Sequence, residues 1–297
     1  MIPMTRHAEP SVTTDDLSLL LPEWQGSGFD SAVAAGARTL AGLLPAGAFL
    51  EIDAPAEEAL AVEEGVIGLS SIAPRARRTL EALRDRRPSR IFTVGGTCGV
   101  ELGPVSYLNE RYRGDLAVIW LDAHADLNTP ASSPSGRFHG MVLRALLGAG
   151  PDAVVSLVAR RLAPEQIVLA GVRDLDRDER TFISDTAVSL LTPADLLVPD
   201  RVAGRVRANG FTRVYVHLDL DVIDPLEFPD SLVHAPGGVS MEDVAATIRS
   251  LATAFDVVGF SVVEFRPRSA NAPARVRHLL SQCGIDIGAL APLARRA

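Results

Sequence analysis

Lysine is absent: all 29 basic residues are arginine. That excludes a Schiff-base lysine and the phosphate-binding lysine of a Walker motif, and several large enzyme classes with them. Cysteine occurs only at Cys98 and Cys283, too few for a disulfide framework, so a reducing compartment is expected. No apolar run approaches the ~20 residues that a membrane helix requires. The segment Met1 to Asp16, with Pro3, Arg6, Glu9 and Pro10, lacks the apolar stretch of a secretion signal. There is also no repeat, no low-complexity tract and no long Pro/Gly linker. Excess positive charge is missing too. The net charge of −8 argues against nucleic acid or an anionic membrane as the main partner, leaving a small molecule and a cytoplasmic location as the expectation.

What is present is alternation. Short β-type runs at Ile91–Val94, Ala117–Leu121, Gln166–Ala170, Arg213–Leu218 and Val257–Val263 are separated by stretches with helical spacing. Those stretches are Pro74–Arg87, Gly140–Leu147, Ala194–Asn209, Met241–Phe255 and Ala272–Gln282. This rhythm predicts an α/β protein with a central parallel sheet and helices on both faces, in one domain spanning residues 1–297. The densest turn-like stretch, Asn128 to Gly136, carries Pro130 and Pro134 among Thr129, Ser132, Ser133 and Ser135. Residues able to do chemistry follow the strands directly: Gly95-Gly96-Thr97-Cys98, Asp122 to Asp126, Arg173 to Asp176, Asp219-Leu220-Asp221 and Glu264. Open parallel sheets bind ligands outside the carboxyl ends of their strands, so these five clusters are expected to converge.

In Asp122-x-His124-x-Asp126 an extended backbone would point all three side chains to one side. Two carboxylates and an imidazole form a hard-to-borderline ligand set for a divalent metal. Capping aspartates beside a solvated histidine account for that motif alone equally well. Asp219-x-Asp221 adds two more carboxylates, although the nearby Asp224-Pro225 would also suit a plain turn. Four carboxylates gathered without a cation repel one another and face raised pKa values. With no lysine to neutralise them, a pair of bridged metal ions removes that cost directly.

These residues carry a family resemblance. Asp122-Ala-His124-Ala-Asp126-Leu-Asn128-Thr-Pro130, followed by Ser135-Gly-Arg137-Phe-His139-Gly140, resembles the signature of the arginase (ureohydrolase) family. His217-Leu-Asp219-Leu-Asp221-Val-Ile-Asp224-Pro225 is similar to its second metal motif, and Gly259 to Pro267 to its late glutamate motif. The likeness runs from about Phe92 to about Pro267; the glycine-rich opening of many arginases is absent. The resemblance implies a three-layer α/β/α fold, a homo-oligomer (often a trimer or hexamer), and a dinuclear manganese centre that activates water to split a guanidinium group into urea and an amine. Family ligands would fall on Asp122, Asp126 and Asp219 for one ion and on Asp122, His124, Asp219 and Asp221 for the other. His139 matches a proton-shuttling histidine, and Glu264 would face the guanidinium, with Asp126 beside them. A strand-end pairing of Glu264 with Arg266 or Arg268 is its rival reading. Asn128, Ser133 and Ser135 match positions that hold an α-carboxylate, and Asp176 and Glu179 positions that read an α-amino group.

Three departures stand out. The family motif Gly-Gly-Asp-His reads Gly95-Gly96-Thr97-Cys98, so cysteine stands where a histidine ligand would be. A thiolate ligand, a bystander beside a weakened site and an inactive relic are all open, and a thiolate would favour a softer metal than manganese. Arg137 replaces an asparagine and could bind a carboxylate, and Val233 stands near a threonine position at the guanidinium. With the Thr-Cys pair, these changes resemble the branch that hydrolyses Nω-hydroxy-L-arginine in D-cycloserine biosynthesis, although this chain keeps His139. The expected activity is hydrolysis of Nω-hydroxy-L-arginine or L-arginine to (hydroxy)urea and ornithine. The alternatives are an agmatinase or guanidino-acid hydrolase, a related one-zinc deacetylase, and an impaired homologue serving as a binding subunit.

Overall fold

The computed structural model describes residues 16–44, 49–52, 60–286 and 291–292; of the polar amino-terminal stretch, only Asp16 falls among them. One sheet holds eight strands. They are β1 (Asp16–Leu21), β2 (Leu50–Glu51), β3 (Arg90–Gly95), β4 (Ala117–Leu121), β5 (Ile167–Ala170), β6 (Ser189–Leu191), β7 (Arg213–Asp219) and β8 (Asp256–Val263). Every neighbouring pair is parallel, in the order β2-β1-β3-β8-β7-β4-β5-β6. The connection from β3 to β4 skips two places, which β7 and β8 later fill, so the chain reverses its direction of travel at the middle of the sheet. That reversal opens a crevice at the carboxyl ends of the four central strands.

The five strands read from sequence are present to within a residue or so. β1, β2 and β6 were not expected. Two are only two and three residues long, and the Leu19-Leu20-Leu21 run of β1 reads as helix or strand alike. The helix expected from Pro74 begins at Leu69 and places the proline inside it. Burial of Leu69, Ile72 and Ala73 in the first turns outweighs the one backbone hydrogen bond that Pro74 removes. The stretch 194–209 is two helices, Pro193–Leu196 and Asp200–Asn209, because Pro199 biases Val198 away from helical geometry. The segment expected as a helix from Gly140 is a 3₁₀ turn, Phe138–Met141, leading into Val142–Leu146. Among the described residues, no helix is long and apolar enough to cross a membrane.

Strand alternation divides the interior into two cores. Val214, Val216 and Leu218 of β7 join Ala117, Ile119 and Leu121 of β4 in one core, against helices Met241–Ala254 and Ala272–Gln282. Tyr215 joins Val118, Trp120 and the helix Leu69–Arg86 in the other. His217 and Asp219 continue the Tyr215 face of β7. Gly96 lets the chain turn off β3: a Cβ there would stand 1.9 Å from the Glu23 carbonyl oxygen.

Candidate metal centre

Acidic groups from β4 and β7 meet through turns. Beyond Leu121 the chain bends rather than staying extended. The His124 N–H donates to Asp122 Oδ1 (2.6 Å), and Asp126 takes a left-handed φ of 51°. The same-side argument for Asp122, His124 and Asp126 from strand alternation therefore does not hold, because local hydrogen bonding overrides the extended conformation. At the end of β7, Asp219 Oδ1 accepts the Asp221 N–H (2.8 Å), and Asp221 Oδ1 accepts the Ala123 N–H (3.0 Å), which ties the two motifs together.

Two donor sets result. Asp122, His124 and Asp221 offer ligand atoms within 4.8 Å of one another, as do Cys98, Asp122, His217 and Asp219. In the first, His124 Nδ1 lies 3.0 Å from Asp221 Oδ2 and 3.4 Å from Asp122 Oδ1. In the second, Cys98 Sγ donates to Asp219 Oδ2 at 3.2 Å, and every member is buried. Asp126 belongs to neither set, although its buried carboxylate lies close enough to Cys98 and Asp122 to act on both electrostatically.

The residues fit a pair of divalent cations. Asp122 Oδ2, Asp126 Oδ2, His217 Nε2 and Glu264 Oε2 are buried without a hydrogen-bond partner, a costly state that a bound cation relieves. Burial, then the neighbouring carboxylates, push Asp126 and Asp219 well above the ordinary carboxyl range, and Asp221 moves up for the same reasons. Burial and then Asp219 raise the Cys98 thiol. Asp122 is the exception: burial opposes its charge, but His124 and His217 hold it below the usual range.

Glu264 leaves β8 at a left-handed φ of 60°, a conformation that costs a non-glycine residue about 1–3 kcal/mol. Its Oε1 accepts the Cys98 N–H (3.0 Å) and lies 3.1 Å from His139 Nδ1. Arg266 pairs with Asp30, while the Arg268 guanidinium donates to the Ser231 carbonyl (3.4 Å), so both arginines are engaged elsewhere than at Glu264. A cavity of about 200 Å³ opens over the cluster, lined by Cys98, His124, Asp126, Asp219, Asp221, His139 and Glu264. Asn128, Ser133, Ser135, Arg137, Asp174, Asp176, Glu179 and Val233 line the rest. With seven carboxylates against one guanidinium, the lining favours a cationic guest.

The clamp residues divide. Asn128 Nδ2 donates to Asp176 Oδ2 (2.8 Å), and Arg137 lies over the Phe29 ring at 4.3 Å. Glu179 accepts the N–H groups of Leu127 and Asp176, so it chiefly frames the loop. Sequence reasoning missed His217 as a donor and Glu101 behind it. The signal was available: a histidine two residues before Asp219 on a strand shares its face.

The comparisons agree with this geometry. A family model described as "Arginase family" matches residues 53–282. The chain belongs to the arginase family. Arginase from Staphylococcus aureus (strain MRSA252) is 36% identical over 182 residues, 59% of this chain and 60% of the relative. Arginase from Bacillus caldovelox is 34% identical over 183 residues, 59% and 61% of the two chains. The aligned stretch thus spans about three-fifths of these curated arginases. Over the whole fold, the solved arginase of Entamoeba histolytica superposes with TM-score 0.83 at 22% identity, covering 90% of this chain and 97% of that one. The solved Bacillus caldovelox arginase gives 0.79 at 26%, covering 91% and 98%.

Proposed function

We propose that this chain is a metal-dependent amidinohydrolase. It splits the guanidino group of an arginine-type α-amino acid into urea or hydroxyurea and ornithine, and prefers Nω-hydroxy-L-arginine to L-arginine. The observation that carries the reading is the acidic cavity in which two metal-type donor sets lie beside the His139–Glu264 pair. Cys98, Asp122 and Asp219 would hold one ion, with the Asp126 carboxylate beside it, and Asp122, His124, Asp219 and Asp221 the other, with manganese expected on the His124 side. When bound, the ions lower the pKa of water and so supply a nucleophile near neutral pH.

The chain's own groups do the rest. Glu264 has one free buried oxygen with which to pair the planar guanidinium. His139 is anchored through Nδ1, which leaves Nε2 to hold a proton for the departing amine. Asp176, at the rim, suits an α-ammonium, while Asn128, Ser133, Ser135 and Arg137 suit an α-carboxylate. Both halves of an amino-acid clamp favour such a substrate over decarboxylated agmatine. Val233 in place of a hydroxyl removes a partner for plain guanidinium, and a hydroxyguanidine is less basic and easier to attack. Two unpaired, buried cysteines suit a reducing cytoplasm, and family resemblance points to a homo-oligomer.

The test is release of urea and hydroxyurea across a panel of guanidino compounds with manganese present. Turnover of hydroxyarginine well above arginine, and of both above agmatine, is the expected result. A strong preference for plain arginine defeats the substrate assignment, and no release from any compound defeats the hydrolase reading.

A further inference from the structure

Beneath the cavity lies a buried polar layer of which the reading above assigns a role only to Asp219. Tyr215, His217 and Asp219 alternate along one face of β7. The Tyr215 hydroxyl donates to Glu101 Oε2 (2.5 Å), and His217 Nδ1 lies 3.1 Å from Glu101 Oε1. Trp120 of β4 stacks on the imidazole, ring centroids 3.5 Å apart. His217 and Glu101 are both fully buried. With Nδ1 turned to Glu101, Nε2 is the ring atom left for a ligand, and it has no partner. It lies 3.8 Å from Asp122 Oδ2, too far for a hydrogen bond, and that oxygen has no partner either. Two buried, unpartnered polar atoms 3.8 Å apart leave a gap that a cation ligated by both would fill.

We propose that His217 is a metal ligand. Cys98 Sγ, His217 Nε2, Asp122 and Asp219 form a sulfur–nitrogen–oxygen site that takes a zinc-class ion in preference to manganese, while the His124 side takes a hard ion. The proposal rests on the metal-centre reading and deepens it. The nitrogen donor lost where Cys98 replaces histidine on the β3 side returns from β7, on the opposite side of β8 in the sheet. Glu101 acts as the carboxylate behind a metal-bound histidine, fixing the tautomer and the ring. Tyr215 holds Glu101 in turn, and it reaches Glu101 only because β8 carries glycine at 259: a Cβ there would stand 2.1 Å from the Tyr215 ring. Thiolate and imidazole donors suit zinc, and the carboxylate-rich partner site suits manganese or magnesium. When the ion binds, the Cys98 thiol proton, now directed at Asp219, leaves to solvent.

The test is X-ray absorption on the purified full chain loaded with one equivalent of zinc. The expected spectrum has one sulfur at about 2.3 Å together with imidazole scattering. The imidazole signal should persist in His124→Asn and disappear in His217→Asn. Dialysis against zinc with manganese in large molar excess, which offsets zinc's higher intrinsic affinity for nitrogen and oxygen donors, should leave one of each per chain. An ion without sulfur, imidazole that disappears with His124 but not His217, or two manganese ions per chain each overturn the proposal. The wild-type spectrum and the dialysis stand even if His217→Asn fails to fold. None of these readouts depends on turnover. A chain with the sulfur–imidazole ion but no urea release sinks the hydrolase reading alone; a chain that binds no metal sinks both.

Discussion

The His124 side of the centre is assembled from turn residues at the mouth of the sheet, and the Cys98 side from residues anchored a layer deeper. The His124 side chain is 27% exposed, whereas that of His217 is 0%. The Asp122 carboxylate accepts the His124 N–H within its own loop, and the Asp221 carboxylate accepts the Ala123 N–H across to that loop. Cys98 follows β3, His217 and Asp219 share β7, and His217 leans on Glu101 and Trp120, with Tyr215 holding Glu101. The contrast is one of donors and solvent: the His124 set is oxygen-rich and part-exposed, the Cys98 set is buried and carries sulfur, which is why the two sets are proposed to differ in the ion they take.

The severest way to break the comparison is to remove what the halves share. Asp122 belongs to both donor sets, so Asp122→Asn should cost both ions and lower urea release by a factor of about 10³ or more. Metal analysis alongside the assay checks it: if only one ion is lost, Asp122 is not the bridge. A smaller effect is expected above the ions. His139→Asn removes the imidazole beside Glu264 and should lower kcat by about 10²–10³ while both ions stay bound. Loss of an ion in that variant would make His139 part of the metal frame rather than the acid–base machinery.

Every member of the His124 donor set was named from the sequence, and of the Cys98 set only His217 was not. Asp122, His124, Asp219 and Asp221 stand together in short motifs after strands, where turn chemistry and position declare them. His217 sits inside a strand whose alternate residues Val214, Val216 and Leu218 are plain core, so it reads as interior filling until its face is matched to that of Asp219. Glu101 follows Cys98 by three residues, yet only the fold shows that it meets Tyr215 and His217 from β7. The sheet was legible where strands are long and β-branched, and illegible at β2 and β6, whose two or three residues carry no period.

Glu101→Gln sharpens the comparison by touching one half only. It keeps the shape of the side chain and removes the charge that fixes the His217 tautomer. Zinc on the buried side should bind about 10–100-fold more weakly, with the His124 side unchanged. Competition against a chromophoric chelator measures both affinities; equal weakening at the two positions would mean that Glu101 supports the sheet as a whole.

The smallest effect concerns stability without metal. Burial and crowding by carboxylates raise Asp219 and Asp126. Burial opposes charge on His124 and His217, but Asp221 and Asp122 for the first, and Asp122 and Glu101 for the second, raise them overall. All four groups therefore bind protons more tightly in the folded chain than in the unfolded one. The native state carries extra protons above pH ~4 at the aspartates and above pH ~6.5 at the histidines, so the slope of stability against pH is negative there, and the contribution is lost as pH climbs through the folded values. Asp122, shifted the other way, acts only below that window. The metal-free protein should thus melt higher at pH 5 than at pH 8, by about 5 °C. Metal loading should reverse the order, because the ions bind only deprotonated donors and protons displace them as the pH falls. Calorimetry at the two pH values, with and without metal, reads both signs. Equal melting of the metal-free protein at the two values would mean that the buried carboxylates and imidazoles do not hold protons in the place of a cation.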